Sequence, residues 1–185
     1  DSKLLFNLQT DGAGFDKIIV KEGGARFSSI DKNGCLYMNG QDIFTFGLKE
    51  VASNVSALLN EFGLNVPEID YFTMHQANLL LNETIRKKLN LEADKTLYSI
   101  KEYGNTSCAS IPVTIAANAE KIHEKNKLKM LLAGFGVGLS WGSAIVDLNL
   151  TNVVADNLVK VIAWYDNEWG YANRLVEMAQ FVGKK

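Results

Sequence analysis

Two short polar motifs are the strongest candidates for chemistry, and each stands where a predicted strand passes into a predicted helix. The first reads HQAN at residues 75–78 and follows the apolar run at 69–74. The second reads GNTS at residues 104–107 and precedes an apolar helical stretch. Loops at the carboxyl ends of strands bring polar groups together in α/β proteins. A neutral imidazole at His75 and a carboxamide at Asn105 could both donate to one oxygen, as an oxyanion or enolate site requires.

Each of these residues alone also has an ordinary structural explanation. A histidine at a strand end is commonly a solvated or capping residue. An asparagine after a glycine, as at Asn105, is common in turns and at helix N-termini. The site hypothesis therefore depends on the two motifs occurring together.

Composition limits the classes of function. The chain has 185 residues, 47% hydrophobic and 22% charged, as expected of a globular protein with one good core. Nineteen basic and 21 acidic residues give a net charge of −2, which does not favour nucleic acid binding. The apolar runs are far too short for a membrane span. Two cysteines and two histidines, in no ligand spacing, predict reduced thiols in the cytoplasm and no metal site.

The hydrophobic pattern predicts strands that alternate with long helices, which is typical of an α/β layered domain with a mixed sheet and packed helices. A first strand pair is expected at 4–8 and 17–21, around a turn at 11–14. The remaining expected strands are 69–74, 96–100, 128–135 and 140–148, and the expected helices are 42–62, 77–89 and 107–125.

A family resemblance strengthens the site hypothesis. Besides HQAN and GNTS, the segments at 37–44, 82–89 and 135–144 resemble β-ketoacyl-acyl-carrier-protein synthase III in order and spacing. The resemblance covers about residues 1–149 and corresponds to the carboxyl-terminal half of that family. It implies half of a thiolase-like layered fold, with a domain at 1–150 and a separate strand-helix appendage at 151–185.

The resemblance implies an acyltransferase of fatty acid biosynthesis that performs a decarboxylative Claisen condensation. In the family, a cysteine takes an acyl group from coenzyme A, and the enolate formed from a malonyl thioester then attacks it. His75 and Asn105 match the catalytic His and Asn, and the backbone N–H of Val137 matches a donor to the acyl oxyanion. A donor histidine must be neutral, so the pKa of His75 is expected to lie below the working pH.

The resemblance also suggests binding residues and partners. Gly40, Phe44 and Gly47 match positions that line the pantetheine channel, and Asn78 matches a residue near it, although Phe44 could equally be a core residue. Leu80 stands where some members have an arginine. The implied partners are acyl-coenzyme A and acyl carrier protein, with the missing amino-terminal half or a second copy of the chain. No cofactor is required beyond the coenzyme A thioester substrate, and no nucleic acid or membrane partner is expected.

The nucleophilic cysteine of the family lies in the half that this chain does not match. Cys108 opens a helix three residues after Asn105, where a helix dipole can lower the pKa of a thiol. It is nevertheless expected to pack as a small hydrophobic residue, and Cys35 lies in a loop without a base nearby in the sequence. Neither is in the nucleophile context of the family, so we expect the isolated chain to be inactive.

The last 35 residues resemble a different family, glyceraldehyde-3-phosphate dehydrogenase, at its carboxyl terminus. A strand at 158–165 and a helix at 168–182 are expected there. By resemblance Asn167 would hold the nicotinamide carboxamide, with Tyr171 beside it. The dinucleotide domain of that family and its glycine fingerprint are not matched, so NAD binding is not expected.

Three hypotheses of different classes follow. The chain is half of a condensing site that needs a partner with the cysteine. Alternatively it is a non-catalytic composite, an engineered chimera or a structural protein. A nicotinamide-dependent dehydrogenase fragment ranks last.

Overall fold

The main sheet contains four strands in the order β1-β6-β5-β4. The computed structural model describes residues 5–22, 34–123, 128–147, 153–154 and 158–159. The strands are β1 (Leu5–Thr10), β4 (Tyr71–Met74), β5 (Lys129–Gly136) and β6 (Ser140–Asp147). β6 is antiparallel to both β1 and β5, whereas β4 is parallel to β5. The predicted mixed sheet is confirmed, including the pairing of the 69–74 run with the 128–135 run.

The helices follow the predicted order, with different bounds. They are α1 (Gly40–Phe46), α2 (Ala52–Glu61), α3 (Leu79–Lys88), α4 (Ile100–Tyr103), α5 (Ser110–Ala117) and α6 (Ala119–His123). A π-helical segment, Gly47–Val51, joins α1 to α2. The side chain of Asn39 accepts a hydrogen bond from the Asp42 N–H and so caps the start of α1.

The core lies on both faces of the sheet because successive strand residues point to opposite sides. On one face Phe72, Met74 and Leu131 pack in a cluster that also contains buried residues of α2 and α3. On the other face Tyr71 and Met130 belong to a second cluster, to which α5 and α6 also contribute apolar side chains. Full burial of side chains of this size stabilises the fold by about 1.5–3 kcal/mol each. The β4–β5 pair is therefore a rigid base for the loops that follow it.

The predicted hairpin between the first two strands is wrong. β1 pairs with β6 instead, and two backbone hydrogen bonds between Asp11 and Leu139 (2.8 and 2.9 Å) continue this pairing beyond Thr10. The next strand, β2 (Ile18–Val20), pairs antiparallel with β3 (Leu36–Met38). The chain does turn at 11–14, but pairing between segments distant in the sequence determines which strands are neighbours.

Two other boundaries differ from the predictions. The expected strand at 96–100 is reduced to a single bridge between Thr96 and Phe72, after which the chain enters α4. The expected helix at 107–125 is interrupted at Asn118, whose side-chain amide donates to the carbonyls of Tyr98 and Thr114. These side-chain hydrogen bonds stabilise a break between α5 and α6 that the hydrophobic periodicity of the sequence does not reveal.

The chain divides into two compact units, Asp1–Leu150 and Thr151–Lys185. In the second unit, β7 (Val153–Val154) and β8 (Leu158–Val159) pair antiparallel. The predicted helix of this unit, together with Asn167 and Tyr171, lies outside the described residues. No helix in the described part of the chain is long and apolar enough to cross a bilayer.

A buried asparagine joins α2 to the sheet, and its removal should destabilise the fold. Asn54 donates to the Asn7 carbonyl (3.2 Å) and accepts from the Ser143 hydroxyl (2.6 Å). We expect Asn54→Ala to lower the free energy of unfolding by about 2–3 kcal/mol in urea titrations, because it leaves buried polar groups without partners. Asn60→Ala, an exposed change on the same helix, should stay within about 0.5 kcal/mol of the wild type. Equal effects of the two variants would contradict this account.

Candidate functional site

His75 lies at the carboxyl end of β4, directly above the parallel β4–β5 pair. Its backbone N–H donates to the Ala133 carbonyl (2.8 Å), which fixes the first residue after the strand. Its ring is half-buried and meets the Phe135 ring edge-on, with centroids 5.3 Å apart and an interplanar angle of 80°. The sheet pairing thus positions the imidazole through its own backbone and through a neighbour on β5.

The imidazole of His75 has a hydroxyl partner. Its Nδ1 is hydrogen-bonded to the Ser110 Oγ (2.7 Å), and Ser110 is the first residue of α5 and only 1% exposed. Burial lowers the pKa of His75, and a backbone hydrogen bond with Ser107 opposes that shift more weakly. The ring is therefore neutral near pH 7, as an enolate donor must be.

Asn105 lies in the neighbouring loop and contacts the HQAN motif. Its Nδ2 donates to the Ala77 carbonyl at 3.5 Å, and its Oδ1 accepts from the Ser107 N–H at 2.9 Å. Gly104 has φ +66°, a conformation that glycine adopts without strain. The two motifs are therefore in contact. Asn105 is exposed and lies beside Ala77, which is two residues after His75.

Val137 lies just beyond β5, two residues after the Phe135 that contacts His75. Its side chain is 64% exposed. Among the described non-glycine residues, positive φ angles occur at Asn90 and Ser107 and not at Val137. Val137 therefore has a backbone conformation that a residue with a side chain adopts without strain. The role of its N–H as an oxyanion donor stays a prediction.

Of the predicted channel residues, Gly47 has the clearest steric requirement. It is buried, and a Cβ atom there would lie 3.1 Å from Leu81 and 3.3 Å from the Phe135 ring. Gly47 therefore lets the helical segment approach the ring that contacts His75. Phe44 is half-buried against the core, in agreement with the alternative reading, and Gly40 is exposed at the start of α1.

Asn78 has a structural role in the fold. Its Oδ1 accepts a hydrogen bond from the Leu81 N–H (2.8 Å) and caps α3. Leu80, at the position of a family arginine, is strongly exposed. Arg86, farther along α3, is paired with Glu83 at 2.9 Å.

Several residues near His75 were not singled out by sequence reasoning. They are Phe135, Ser110, Gln76, Ser99 and Thr114. Gln76 is fully buried and bridges the Met74 carbonyl and the Ser99 N–H. A usable signal existed in α5, where Ser110 and Thr114 are polar residues four positions apart in an otherwise apolar helix.

An open cleft of about 340 Å³ lies elsewhere, lined by residues that include Lys17, Asp42, Thr45 and Leu139. Neither His75 nor Asn105 lines it. Lys17 and Asp42 form an ion pair there (2.9 Å). No group of three or more His, Cys, Asp or Glu residues suited to a metal ion occurs in the described ranges. The cleft is therefore a separate feature, and we assign no chemistry to it.

The lowered pKa of His75 predicts a pH dependence of stability. Below about pH 6.5 the unfolded chain binds a proton at His75 that the folded chain does not, so stability falls as pH decreases toward the folded-state pKa. We expect the free energy of unfolding to decrease less between pH 7 and pH 5 in His75→Asn than in the wild type. His123→Asn is the control, since the chain has two histidines. An equal decrease in all three proteins would show that His75 titrates normally.

Comparison with known proteins finds similar sequences and structures. Residues 59–148 match the model of the family described as 3-oxoacyl-[acyl-carrier-protein] synthase III C terminal. The chain is 37% identical over 146 residues to a β-ketoacyl-[acyl-carrier-protein] synthase III of Lactococcus lactis, and 36% identical over 143 residues to one of Clostridium acetobutylicum. These alignments cover 76% and 75% of this chain, but 45% and 44% of the relatives.

A solved structure shows the same fold. The 3-oxoacyl-(acyl-carrier protein) synthase of Burkholderia xenovorans superposes with a TM-score of 0.70 at 38% identity, covering 77% of this chain and 43% of that one. The chain thus spans less than half the length of the proteins it matches. The resemblance of residues 151–185 to a dehydrogenase stays a prediction. In sequence and in its mixed α/β fold, the first unit is similar to the carboxyl-terminal half of a thiolase-like 3-oxoacyl-[acyl-carrier-protein] synthase III.

Proposed function

We propose that this chain supplies the malonyl-thioester half of a decarboxylative condensing site. The observation that carries the proposal is the meeting of the two motif loops, with a neutral His75 and an exposed Asn105 amide on adjacent backbone segments. Both side chains can donate a hydrogen bond. Two such donors aimed at one thioester oxygen stabilise the charge that develops when a malonyl group loses carbon dioxide.

The chemistry divides between this chain and a missing nucleophile. In the first step the bond between the malonyl carboxylate and its α-carbon breaks, carbon dioxide leaves, and the bonding electrons form an enolate. His75 and Asn105 would hold the enolate oxygen. In the second step the α-carbon of the enolate attacks an acyl thioester on a cysteine, and the thiolate leaves. The N–H of Val137 would bind the oxyanion formed in that attack.

The nucleophilic cysteine is proposed to come from polypeptide outside this sequence. Both cysteines of the chain, Cys35 and Cys108, are exposed and form no disulfide. The relatives are more than twice as long as the segment matched here. Covalent catalysis needs a nucleophile beside a base or another activating group, and neither thiol has the expected context.

Partly exposed apolar residues on β1 support a missing partner. Phe6 and Leu8 on β1 are 47% and 53% exposed, and large apolar patches mark contact surfaces. We propose that the amino-terminal half of a synthase III, or a second copy of this chain, covers this face. Acyl-coenzyme A and acyl carrier protein would be the substrates of the completed site, and no resident cofactor is proposed.

Complementation tests the proposed function. The purified chain would be mixed with the separately produced amino-terminal part of the L. lactis synthase III, and ketoacyl product would be measured from acyl-coenzyme A and malonyl carrier protein. We expect product only when both parts are present. His75→Ala and Asn105→Ala should each lower the rate by about 10²–10³, while Cys108→Ala should retain it.

Three outcomes would contradict the proposal. Acylation of Cys108 or Cys35 by labelled acyl-coenzyme A, with turnover by the chain alone, would show that the nucleophile is already present. Formation of a stable complex without product would favour the non-catalytic structural alternative. Product unaffected by His75→Ala would show that His75 is not a donor in the reaction.

A further inference from the structure

Thr73, in the third position of β4, carries a fully buried hydroxyl. It is 0% exposed, and within the described ranges its Oγ1 has no hydrogen-bond partner. Native proteins satisfy nearly all buried polar groups, because an unpaired one is costly. A carrier, a coenzyme or a partner chain cannot supply the missing bond, since none of them reaches a side chain that has no exposed surface. The partner of this hydroxyl must therefore be inside the protein.

The neighbours of Thr73 along β4 show where its side chain points. Side chains alternate along a strand, so Tyr71, Thr73 and His75 share one face. The Tyr71 hydroxyl donates to the Lys121 carbonyl on α6 (3.1 Å), and the His75 ring is hydrogen-bonded to Ser110 at the start of α5 (2.7 Å). Thr73 lies between these two contacts and therefore points toward the helical layer of α5 and α6.

Two more buried hydroxyls belong to this layer. Ser99 and Thr114 are 1% and 0% exposed, and their side-chain oxygens are 2.7 Å apart. The segment that leads to Ser99 runs beside β4, since Thr96 forms a bridge with Phe72. Thr114 lies on α5, one turn after its first residue. Hydroxyl groups are thus contributed to this layer by β4, by α5 and by the segment at 96–99.

The hydrogen bonds already made leave acceptors in this layer. The Thr114 hydroxyl donates to the Ser110 carbonyl (2.7 Å), so Ser99 is the donor in its bond with Thr114. The Ser99 oxygen then keeps a lone pair that can accept another hydrogen bond. The Thr73 hydroxyl has a proton to donate. A group that joins the two must accept from one oxygen and donate to the other, and a water molecule does both.

We propose that one water molecule is bound inside the first unit, between Thr73 on β4 and the hydroxyl groups of α5 and the 96–99 segment. This site goes beyond the proposed function and does not depend on it. A metal ion does not suit it, because the hydroxyls are uncharged and the described ranges hold no cluster of His, Cys, Asp or Glu suited to a metal. Buried waters typically make about three hydrogen bonds and are part of the structure. This water would join the strand that leads to His75 to the helix packed on it.

A valine at position 73 tests the proposal, because its effect has opposite signs with and without the water. Valine has nearly the shape of threonine but no hydroxyl. If the water is bound, Thr73→Val removes a satisfied hydrogen bond, and we expect the unfolding equilibrium constant from urea titrations to rise about fivefold. If the hydroxyl has no partner, the substitution removes a penalty. A constant that falls, or that stays within about twofold of the wild type, would therefore overturn the proposal.

Thr10→Val is the matched control. Thr10 is an exposed threonine in β1, so this variant measures the general effect of replacing threonine by valine in a strand. We expect it to change the unfolding equilibrium constant by no more than about twofold. If Thr10→Val raised the constant as much as Thr73→Val, the effect at Thr73 would not come from a buried water, and the proposal would fail.

A crystal structure of the 185-residue chain locates the water directly and decides the question even if Thr73→Val does not fold. We expect a water about 2.5–3.0 Å from the Thr73 Oγ1 and equally close to a second polar atom of α5 or of the 96–99 segment. Thr73→Ser keeps the hydroxyl and should retain this water. A Thr73 hydroxyl that bonds directly to a protein atom, or that has no water beside it in well-defined density, would overturn the proposal.

Discussion

The candidate site depends on the burial of one imidazole between an aromatic ring and a hydroxyl. His75 is held by the β4–β5 pairing through its backbone, by the Phe135 ring on one side and by Ser110 through Nδ1. Burial disfavours the charged ring, so the pKa of His75 is lowered. A neutral histidine is the form that can donate a hydrogen bond to a developing enolate oxygen.

The rest of the first unit serves to hold this arrangement. The cores on the two faces of the sheet fix β4 and β5, and Gly47 allows a helical segment to approach Phe135. The loop at 104–107 contacts the HQAN motif through a long hydrogen bond, which the side-chain amide of Asn105 donates to the Ala77 carbonyl. Asn105 is exposed whereas His75 is half-buried. One donor is thus set by the core, and the other lies at the surface.

Sequence reasoning identified the sheet because strands in the core appear as largely apolar segments, such as 69–74. It placed the first strand in a hairpin because the turn at 11–14 is a local signal, whereas the pairing of β1 with β6 joins residues more than a hundred positions apart. It singled out His75 and Asn105 as candidates through their motifs. It missed Ser110 because a serine at a helix start is ordinary in sequence and acquires meaning only from the ring against it.

Titration of the chain with a malonyl thioester analogue that cannot lose carbon dioxide tests the central claim most directly. The side-chain nitrogen signals of His75 and Asn105 would be followed by NMR as the analogue is added. We predict that both signals shift along one binding curve, and that Asn105→Ala weakens the response of His75. Shifts at only one residue, or two curves with different midpoints, would contradict a shared site for the thioester oxygen.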